Sequence, residues 1–300
     1  MNDQASKLRK MINGANMDDN KNLPNRKAKI LTVTSGKGGV GKTNFAVNLA
    51  ISIRRLGYRV IIMDVDFGLA NVEILTGTSV KYTISDCIVS GKKLEEIMVD
   101  GPYGIKLISG GLGLNEKIIM NRENIRNILR EMEKVEYITD FIIIDTAAGV
   151  SNTVLNFIMA SDETILITTP DPTSIMDGYT ILKALTIYGY KGKLNIVTNI
   201  VNSRKEAYAT YDKLYRASKN FLNQELEFLG YLERSDIVNK AVLNQYPFLL
   251  SNPNASISKK INIMALKLIE PGGHIKERGK ISLAKRLLDL FNKKGGSNDD

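Results

Sequence analysis

The sequence has no tryptophan, one cysteine and one histidine among its 300 residues. The single cysteine, Cys87, excludes an internal disulfide and suits a reducing compartment. The only histidine, His274, lies far from Cys87 in the sequence, so neither a Cys–His metal cluster nor a nucleophile–base pair is indicated. No apolar run approaches the ~18–20 residues that a membrane-spanning helix needs. We therefore expect a cytoplasmic protein in which Cys87 is a packing residue.

The formal net charge of +9 is concentrated at the two ends of the chain. Residues 1–30 contain seven Lys or Arg against three Asp, and residues 271–300 contain seven against four acidic residues. The segment between them is nearly balanced. Because a nucleic-acid-binding protein of this kind would more typically carry a basic stripe on its folded body, nucleic acid is an unlikely partner.

The most specific pattern is Ser35 to Thr43, which reads SGKGGVGKT. It follows an apolar, β-branched segment (30–34) and precedes a segment typical of a helix (44–56). This is the P-loop pattern G-x-x-x-x-G-K-[ST] in its required context of strand, glycine loop and helix. Its backbone N–H groups would surround phosphate oxygens, Lys42 would reach the β- and γ-phosphates, and Thr43 would bind Mg²⁺. The predicted nucleotide-binding residues are Gly36, Lys37, Gly38, Gly39, Val40, Gly41, Lys42, Thr43 and Asn44.

Carboxylates end two further apolar segments. Asp64 and Asp66 follow the run 58–63, and Asp145 follows the run 141–144. Carboxylates at the carboxyl ends of parallel strands lie beside a P-loop in a doubly wound sheet. Asp145 has the Walker B arrangement, in which the carboxylate helps to hold Mg²⁺. Thr43 and Asp145 are therefore predicted metal ligands.

Strand-like and helix-like segments alternate along the chain, which predicts an α/β fold with a doubly wound, mostly parallel sheet. No repeat and no break in composition divides residues 29–270, so we expect one ATPase-like domain there. Residues 1–28 and 271–300 are then two tails. Strands are predicted near 29–35, 59–64, 105–109, 140–145, 163–169, 193–199 and 226–232, and helices near 42–56, 121–135, 151–160, 174–188, 203–223 and 256–269.

The C-terminal tail contains an amphipathic helix within 280–294. At about 100° per residue, its apolar residues fall on one half of the helix and its polar residues on the other. An apolar face bordered by Lys and Arg suits a helix that lies in the interface of an anionic membrane. The alternative is a last helix packed on the domain, and we expect that packing in the ADP or nucleotide-free monomer. The predicted membrane residues are Ile281, Leu283, Leu287, Leu288, Leu290 and Phe291, with Lys285 and Arg286 beside them.

Three stretches resemble a known group of ATPases. The sequence KGGVGKT from Lys37 to Thr43 resembles the deviant Walker A box of the MinD/ParA class. The D-T-x-A-G stretch that begins at Asp145 is similar to the flagellar branch of this class, the FlhG proteins, also called FleN or YlxH. The N-terminal pattern D-Q-A-x-x-L-R resembles the activator motif of FlhG proteins through Asp3, Gln4, Ala5, Leu8 and Arg9.

The resemblance implies a cycle and a set of roles. Lys37 would be the signature lysine, which crosses a homodimer interface to the nucleotide of the partner. Asp66 would position the attacking water, Asp64 would support Mg²⁺ through water, and Asn199 would contact adenine. The metal site that the resemblance implies then consists of Thr43, Asp64, Asp66 and Asp145. The loop after Asn199 departs from the family, because relatives usually have G-x-I-P-x-D where this chain reads GYLERS from Gly230.

The same resemblance implies partners and a regulatory role. The N-terminal motif would bind the FlhF GTPase and stimulate it, and the C-terminal helix would target the membrane in the ATP-bound homodimer. Proteins of the flagellar switch complex, the C-ring, are possible further partners. The predicted function is regulation of flagellar number or placement. The alternatives are a MinD-type division-site ATPase and a ParA-like DNA-partitioning ATPase. A metal-cluster carrier is disfavoured, because those relatives use a C-x-x-C pair.

Overall fold

The apolar, β-branched segments form one parallel sheet. A computed structural model describes residues 27–66, 71–111, 122–269 and 282–295, without the side chains of 122–126 and 291–295. In these ranges the strands are β1 (Lys29–Thr34), β2 (Val60–Asp64), β3 (Val99–Asp100), β4 (Lys106–Ile108), β5 (Phe141–Asp145), β6 (Glu163–Thr168), β7 (Lys193–Val201) and β8 (Glu227–Glu233). They lie in the order β3-β4-β2-β5-β1-β6-β7-β8. Only the pair β3–β4 is antiparallel among these strands.

Helices cover both faces of the sheet. In the described ranges they are α1 (Lys42–Arg55), α2 (Asn71–Thr76), α3 (Ile84–Ser90), α4 (Leu94–Ile97), α5 (Arg122–Ile138), α6 (Asn152–Ala160), α7 (Pro172–Ile187), α8 (Arg204–Leu222), α9 (Asp236–Leu243), α10 (Phe248–Ser251), α11 (Ser256–Ile269) and α12 (Leu283–Gly295). A short 3₁₀ helix spans Pro102–Gly104.

The central strands explain where a ligand can bind. Strands β2 and β5 are buried along their whole length, as their continuous apolar sequences predict for strands covered on both faces. Strand β1 pairs with β5 on one side and with β6 on the other, so the chain order reverses at β1. Ligands of open α/β sheets bind beyond the carboxyl ends of the strands at such a point.

Alternating side chains of β1 contribute to two different apolar cores. Leu31 and Val33 join the core that α1 and α11 cover, whereas Ile30 joins the core that α5 and α12 cover. This alternation is the two-residue period of a strand between two layers of helices. A third apolar cluster joins α6, α7 and α8 to the same sheet. The first two cores therefore hold β1, β2 and β5 in place, and the third holds β6 and β7.

The predicted fold class is confirmed, and the predicted strands and long helices match the observed ones to within a few residues. Strand β3 and the short helices α2, α3, α4, α9 and α10 are not predicted, because elements of two to eight residues show too little periodicity. The predicted C-terminal helix is confirmed as α12. The expected linker 271–279 and the tail 1–26 lie outside the described residues.

Within the described ranges, no helix is both long enough and apolar enough to cross a bilayer.

Candidate nucleotide-binding site

The loop from Ser35 to Gly41 connects β1 to α1, as the P-loop pattern predicts. Gly39 and Gly41 have φ angles of 75° and 86°, in the left-handed region that favours glycine. Gly41 also occupies the N-cap position of α1. The first N–H groups of α1 and its positive dipole end therefore face the loop, where phosphate groups can bind.

Two glycines are required because other groups approach the loop closely. A Cβ atom on Gly36 would lie 2.3 Å from the backbone carbonyl carbon of Asp177 in α7, and one on Gly41 would lie 2.4 Å from Nδ2 of Asn199. The loop is thus packed against α7 on one side and the end of β7 on the other.

The P-loop lysine lies in a buried ion pair. Nζ of Lys42 donates to Oδ1 of Asp145 at 2.9 Å, and the side chains are 9% and 0% exposed. The other oxygen of Asp145, Oδ2, is buried and has no hydrogen-bond partner among the described residues. Burial raises the pKa of Asp145, while Lys42 and the hydroxyl of Thr43 oppose that rise. Lys42, Thr43 and Asp145, which are predicted to bind phosphate and Mg²⁺, thus lie next to one another.

Asp64 lies beside Asp145, because the two residues are register partners on β2 and β5. Its Oδ1 accepts from the N–H of Asp66 at 3.0 Å and its Oδ2 from the N–H of Val72 at 3.3 Å. Burial and the neighbouring Asp145 raise the pKa of Asp64 to about 7. Asp66 accepts a long hydrogen bond of 3.4 Å from the amide of Asn71. The switch residues between them, 67–70, lie outside the described residues.

The geometry of these carboxylates fits a divalent cation. Burial and Asp145 raise the pKa of Asp64, and Asp145 carries an unpartnered oxygen, so a positive ion between the two carboxylates would offset both costs. In the described part of the chain, no three acidic, His or Cys side chains form a self-contained metal cluster. This set suits Mg²⁺, which typically takes one or two carboxylates and completes its shell with substrate phosphates and water.

The second lysine of the loop has a partner in its own chain. Nζ of Lys37 donates to Oδ2 of Asp171 at 2.6 Å and to the hydroxyl of Thr173 at 2.7 Å. Asp171 is the N-cap of α7 and also accepts from the N–H of Thr173. The hydrogen bond from Lys37 lowers the pKa of Asp171 to about 2. The lysine therefore points along its own protomer in this structure. Both side chains are more than 40% exposed, so solvent screens the pair and its rupture is inexpensive.

Asn199 at the end of β7 is tied to the P-loop. Its Nδ2 donates to the carbonyl of Val40 at 2.7 Å, and its Oδ1 accepts from the N–H of Ile200 at 2.9 Å. A side-chain amide has two N–H donors and two acceptor lone pairs. One donor and one lone pair of Asn199 therefore remain, so the predicted adenine contact stays a prediction that this geometry permits.

A cavity of about 330 Å³ opens beside the loop and reaches Ile200, the residue after Asn199. Its size is that of a small-ligand site. The P-loop and the segments after β6, β7 and β8 form its walls; we call it the base cavity. Its lining residues are Lys37, Gly38, Gly39, Val40, Thr169, Pro170, Asp171, Ile200, Asn202, Glu206 and Arg234.

The sequence identifies the predicted phosphate-binding residues better than the residues that position them. Lys42, Thr43, Asp64 and Asp145 converge as expected. The partners of Lys37 were missed, although the pair Asp171-Pro172 is a recognisable helix start. That signal identifies the N-cap but not the side chain that approaches it from the P-loop, 134 residues away.

A left-handed glycine loop before a helix, a buried lysine–aspartate pair and a second lysine define a P-loop nucleoside triphosphatase. The profile of the ParA family, described as NUBPL iron-transfer P-loop NTPase, matches residues 26–269. The chain is 36% identical to the flagellum site-determining protein YlxH of Helicobacter pylori, over 96% of this chain and 99% of that protein. It is 30% identical to the antiactivator FleN of Pseudomonas aeruginosa, over 82% and 90%.

Solved structures agree on the fold. MinD of Pyrococcus horikoshii, a septum site-determining protein complexed with Mg-ADP, superposes with a TM-score of 0.67 at 20% identity, over 85% of this chain and 100% of that one. The chain therefore belongs to the ParA family of P-loop NTPases and, within it, to the FleN and YlxH branch. It is an ATP-hydrolysing enzyme of the MinD/ParA class.

The family profile is described by iron transfer, but this chain has no set of cysteine ligands for iron. Cys87 is the only cysteine of the chain. It is half-buried against the core under α5, and burial raises its pKa to about 11. A neutral thiol without a second cysteine is a poor ligand for iron, which agrees with the expectation that Cys87 is a packing residue.

The buried ion pair makes a prediction about stability. Lys42→Ala leaves the Asp145 carboxylate buried without its cation, and breaking a buried pair in this way typically costs ~3–5 kcal/mol. We expect urea denaturation to show a loss of that order. Adding Asp145→Asn to Lys42→Ala should recover part of it, because the buried charge is removed. A double variant that is less stable than Lys42→Ala would contradict the pairing.

Proposed function

We propose that the protein is an ATP-driven membrane switch that regulates flagellar number or placement. The observation that carries this proposal is that α12, the predicted membrane helix, is docked on the ATPase body with its apolar face covered. Leu283, Ala284 and Leu287 are at most 5% exposed and join the core beneath α5. Leu288 and Leu290 pack at the edge of the same core. A helix in this state cannot present that face to lipid.

Polar contacts hold the amino end of α12. Oε1 of Glu136 in α5 accepts from the backbone N–H of Ala284 at 3.3 Å. The N-cap, Ser282, is only 2% exposed and accepts from the N–H of Lys285. Ser282 is buried although it is polar, because capping directs its hydroxyl toward the first turn of the helix.

A second contact joins α12 to the sheet. Nη1 of Arg286 donates to Oδ1 of Asp162 at 2.7 Å, and both side chains are about 15% exposed. Oδ2 of Asp162 accepts from the N–H of Ile30 at the start of β1. Arg286 is therefore engaged by the body in the docked state, whereas Lys285 is exposed. Release of the helix would make both cations available to anionic lipid.

The docked helix is connected to the nucleotide site through α6. Helix α6 begins at Asn152, after the segment that follows Asp145, and packs against α12. The N–H of Gly149 in that segment donates to the carbonyl of Ser35 in the P-loop at 2.9 Å. A change in this segment on nucleotide binding would shift α6 and loosen the groove that holds α12. This supports control of docking by the nucleotide state.

The ATP cycle follows from the residues of the site. Lys42 and the loop N–H groups would bind the phosphates, and Thr43, Asp64 and Asp145 would hold Mg²⁺, which neutralises charge on the transferring phosphate. Asp66 would orient the attacking water. Lys37 would leave Asp171 and reach the nucleotide of a second copy, so that ATP favours a homodimer. We expect slow turnover without a partner.

Dimerisation would also strengthen membrane binding. One amphipathic helix of this length binds lipid weakly, whereas two helices on one dimer gain by effective concentration. The protein would then be cytoplasmic as a monomer and peripheral at the cell membrane as the ATP dimer.

The flagellar role is supported by the extent of the similarity. The flagellar relatives align with 82% and 96% of the chain, whereas MinD of Chlorella vulgaris aligns with 56% of it at 34% identity. The N-terminal motif Asp3, Gln4, Ala5, Leu8 and Arg9 lies outside the described residues; we propose that it binds and stimulates FlhF. C-ring proteins are further possible partners.

The membrane switch is tested by co-sedimentation of full-length protein with phosphatidylglycerol-containing vesicles. We expect pelleting with a non-hydrolysable ATP analogue and much less with ADP, because the dimer exposes two helices. Phe291→Glu should abolish pelleting by placing a charge on the apolar half of α12. The matched control, Asn292→Glu, adds the same charge on the polar half and should retain most of the binding. Equal pelleting of the two variants, or none by the unmodified protein, would argue against the switch.

The docked state should weaken as the pH rises. Burial raises the pKa of Glu136 to about 7 from its ordinary 4.5, while the hydrogen bond from the N–H of Ala284 and the charges of Lys27 and Arg286 oppose the rise. Release of α12 would solvate this carboxyl and return its pKa toward 4.5, so docking is strongest at low pH and is lost as the pH rises through 7. Nucleotide-free vesicle binding should therefore increase from about pH 5.5 to about pH 7.5.

Glu136→Gln is the matched control for this pH dependence. It keeps an oxygen acceptor for the N–H of Ala284 but does not titrate, so its vesicle binding should change less over the same range. His274 is present in both proteins and cancels in the comparison. An identical pH profile for the two proteins would rule out Glu136 as the titrating group.

The partner assignment has a separate test. Deletion of residues 1–20 should abolish stimulation of FlhF GTPase activity and leave ATP-dependent vesicle pelleting unchanged. Gln4→Ala combined with Leu8→Ala should reproduce the deletion, whereas Asn13→Ala combined with Asn16→Ala should not. Undiminished GTPase stimulation by the deleted protein would show that the N-terminal motif is not the activator.

A further inference from the structure

We propose that the guanidinium group of Arg234 stacks on the adenine base of the bound nucleotide and raises affinity for the nucleoside part of ATP and ADP. The inference deepens the proposed ATP function and rests on it. It concerns the segment after β8, in which Glu233 is followed by Arg234.

The backbone places Arg234 at the nucleoside end of the site. Its N–H donates to the carbonyl of Val201 at 2.9 Å, which fixes the segment after β8 against the end of β7. Strand β8 lies three strand positions from β1. At about 4.8 Å per position, Arg234 starts about 14 Å from the strand that leads into the phosphate loop. That offset places Arg234 across the base cavity from the phosphate loop, on the side into which the base of a bound nucleotide can extend.

The charges of the base cavity leave Arg234 available. Lys37, the other cation in its lining, is bound by Asp171 and Thr173. Glu206 accepts hydrogen bonds from the N–H and the amide of Asn202. Arg234 is exposed, and within the described ranges its guanidinium group has no ion-pair, hydrogen-bond or ring partner. A long cationic side chain at the rim of a cavity can therefore close over a ligand without breaking an existing contact.

The chemistry of the walls favours stacking on the face of the base. No aromatic side chain is among the described residues that line the base cavity. Asn199 retains one donor and one lone pair, which suit the edge of adenine but not its face. The planar guanidinium group of arginine stacks on aromatic faces, which the ammonium group of lysine does less well. Ile200, held at φ 57°, supplies an apolar surface in the same cavity.

Calorimetric titration of the full-length protein with ADP and with inorganic pyrophosphate tests the inference. ADP carries the base, pyrophosphate does not, and neither promotes the ATP dimer. Arg234→Ala should weaken ADP binding about tenfold, a typical loss for a removed base stack, and leave pyrophosphate binding unchanged. Arg234→Lys should resemble Arg234→Ala, whereas Arg234→Phe should restore most of the affinity because it offers a flat ring. Lys240→Ala removes an exposed cation from nearby α9, outside the base cavity, and should have no effect.

Each outcome decides between distinct explanations. Unchanged ADP affinity in Arg234→Ala overturns the inference, and so does an equal loss for ADP and pyrophosphate, which would indicate a phosphate contact. Failure of Arg234→Phe to restore affinity would overturn stacking in favour of a charged or hydrogen-bonded contact. If the unmodified protein bound neither ligand, or Lys42→Ala bound both normally, the proposed ATP site itself would be wrong.

Discussion

The buried pair of Lys42 and Asp145 is the interaction on which the nucleotide site depends. It joins the first turn of α1 to the end of β5, and it holds a lysine and a carboxylate out of water at the point where β1, β2 and β5 end. Burying two charges in this way costs free energy unless a ligand also interacts with them, because each desolvated charge is stabilised only through its partner. The unpartnered Oδ2 of Asp145 and the raised pKa of Asp64 have the same cause. The site therefore stores an electrostatic cost that nucleotide and metal would relieve.

The sheet separates this site from the helix that it is proposed to control. The P-loop lies beyond the carboxyl ends of the strands, whereas Asp162 and Glu136, which hold α12, precede β6 and β5 at the opposite edge. No direct contact between nucleotide and α12 is needed, because α6 packs against α12 and begins at Asn152, shortly after Asp145. Short-range packing changes along one helix are a physical route between the two edges. The proposed mechanism thus depends on local contacts at the nucleotide site and at α12, and rigid elements connect these two regions.

Prediction from sequence succeeds where a residue type is dictated by its immediate context. The left-handed Gly39 and Gly41, the continuous apolar strands and the carboxylates at strand ends all follow from short patterns. It fails where the partner is distant in the chain. Nothing near Lys37 indicates that Asp171 will hold it, and nothing near Arg286 indicates Asp162. Short elements such as α2 and α9 also escape prediction, because they are stabilised by tertiary contacts rather than by their own periodicity.

The sequence alone determined the class of fold, the phosphate-binding loop, the carboxylates beside it and the amphipathic character of the last helix. Each of these depends on spacing within a few residues, or on a strand–loop–helix order that the chain itself specifies. The tertiary structure alone decided which surface covers the apolar face of α12, where Lys37 points, and which cation of the base cavity stays unpaired. Those outcomes depend on which side chains come into contact once the sheet has formed, and the energy of each contact depends on how deeply it is buried. A sequence pattern specifies neither the distant contact partner nor the burial of the contact.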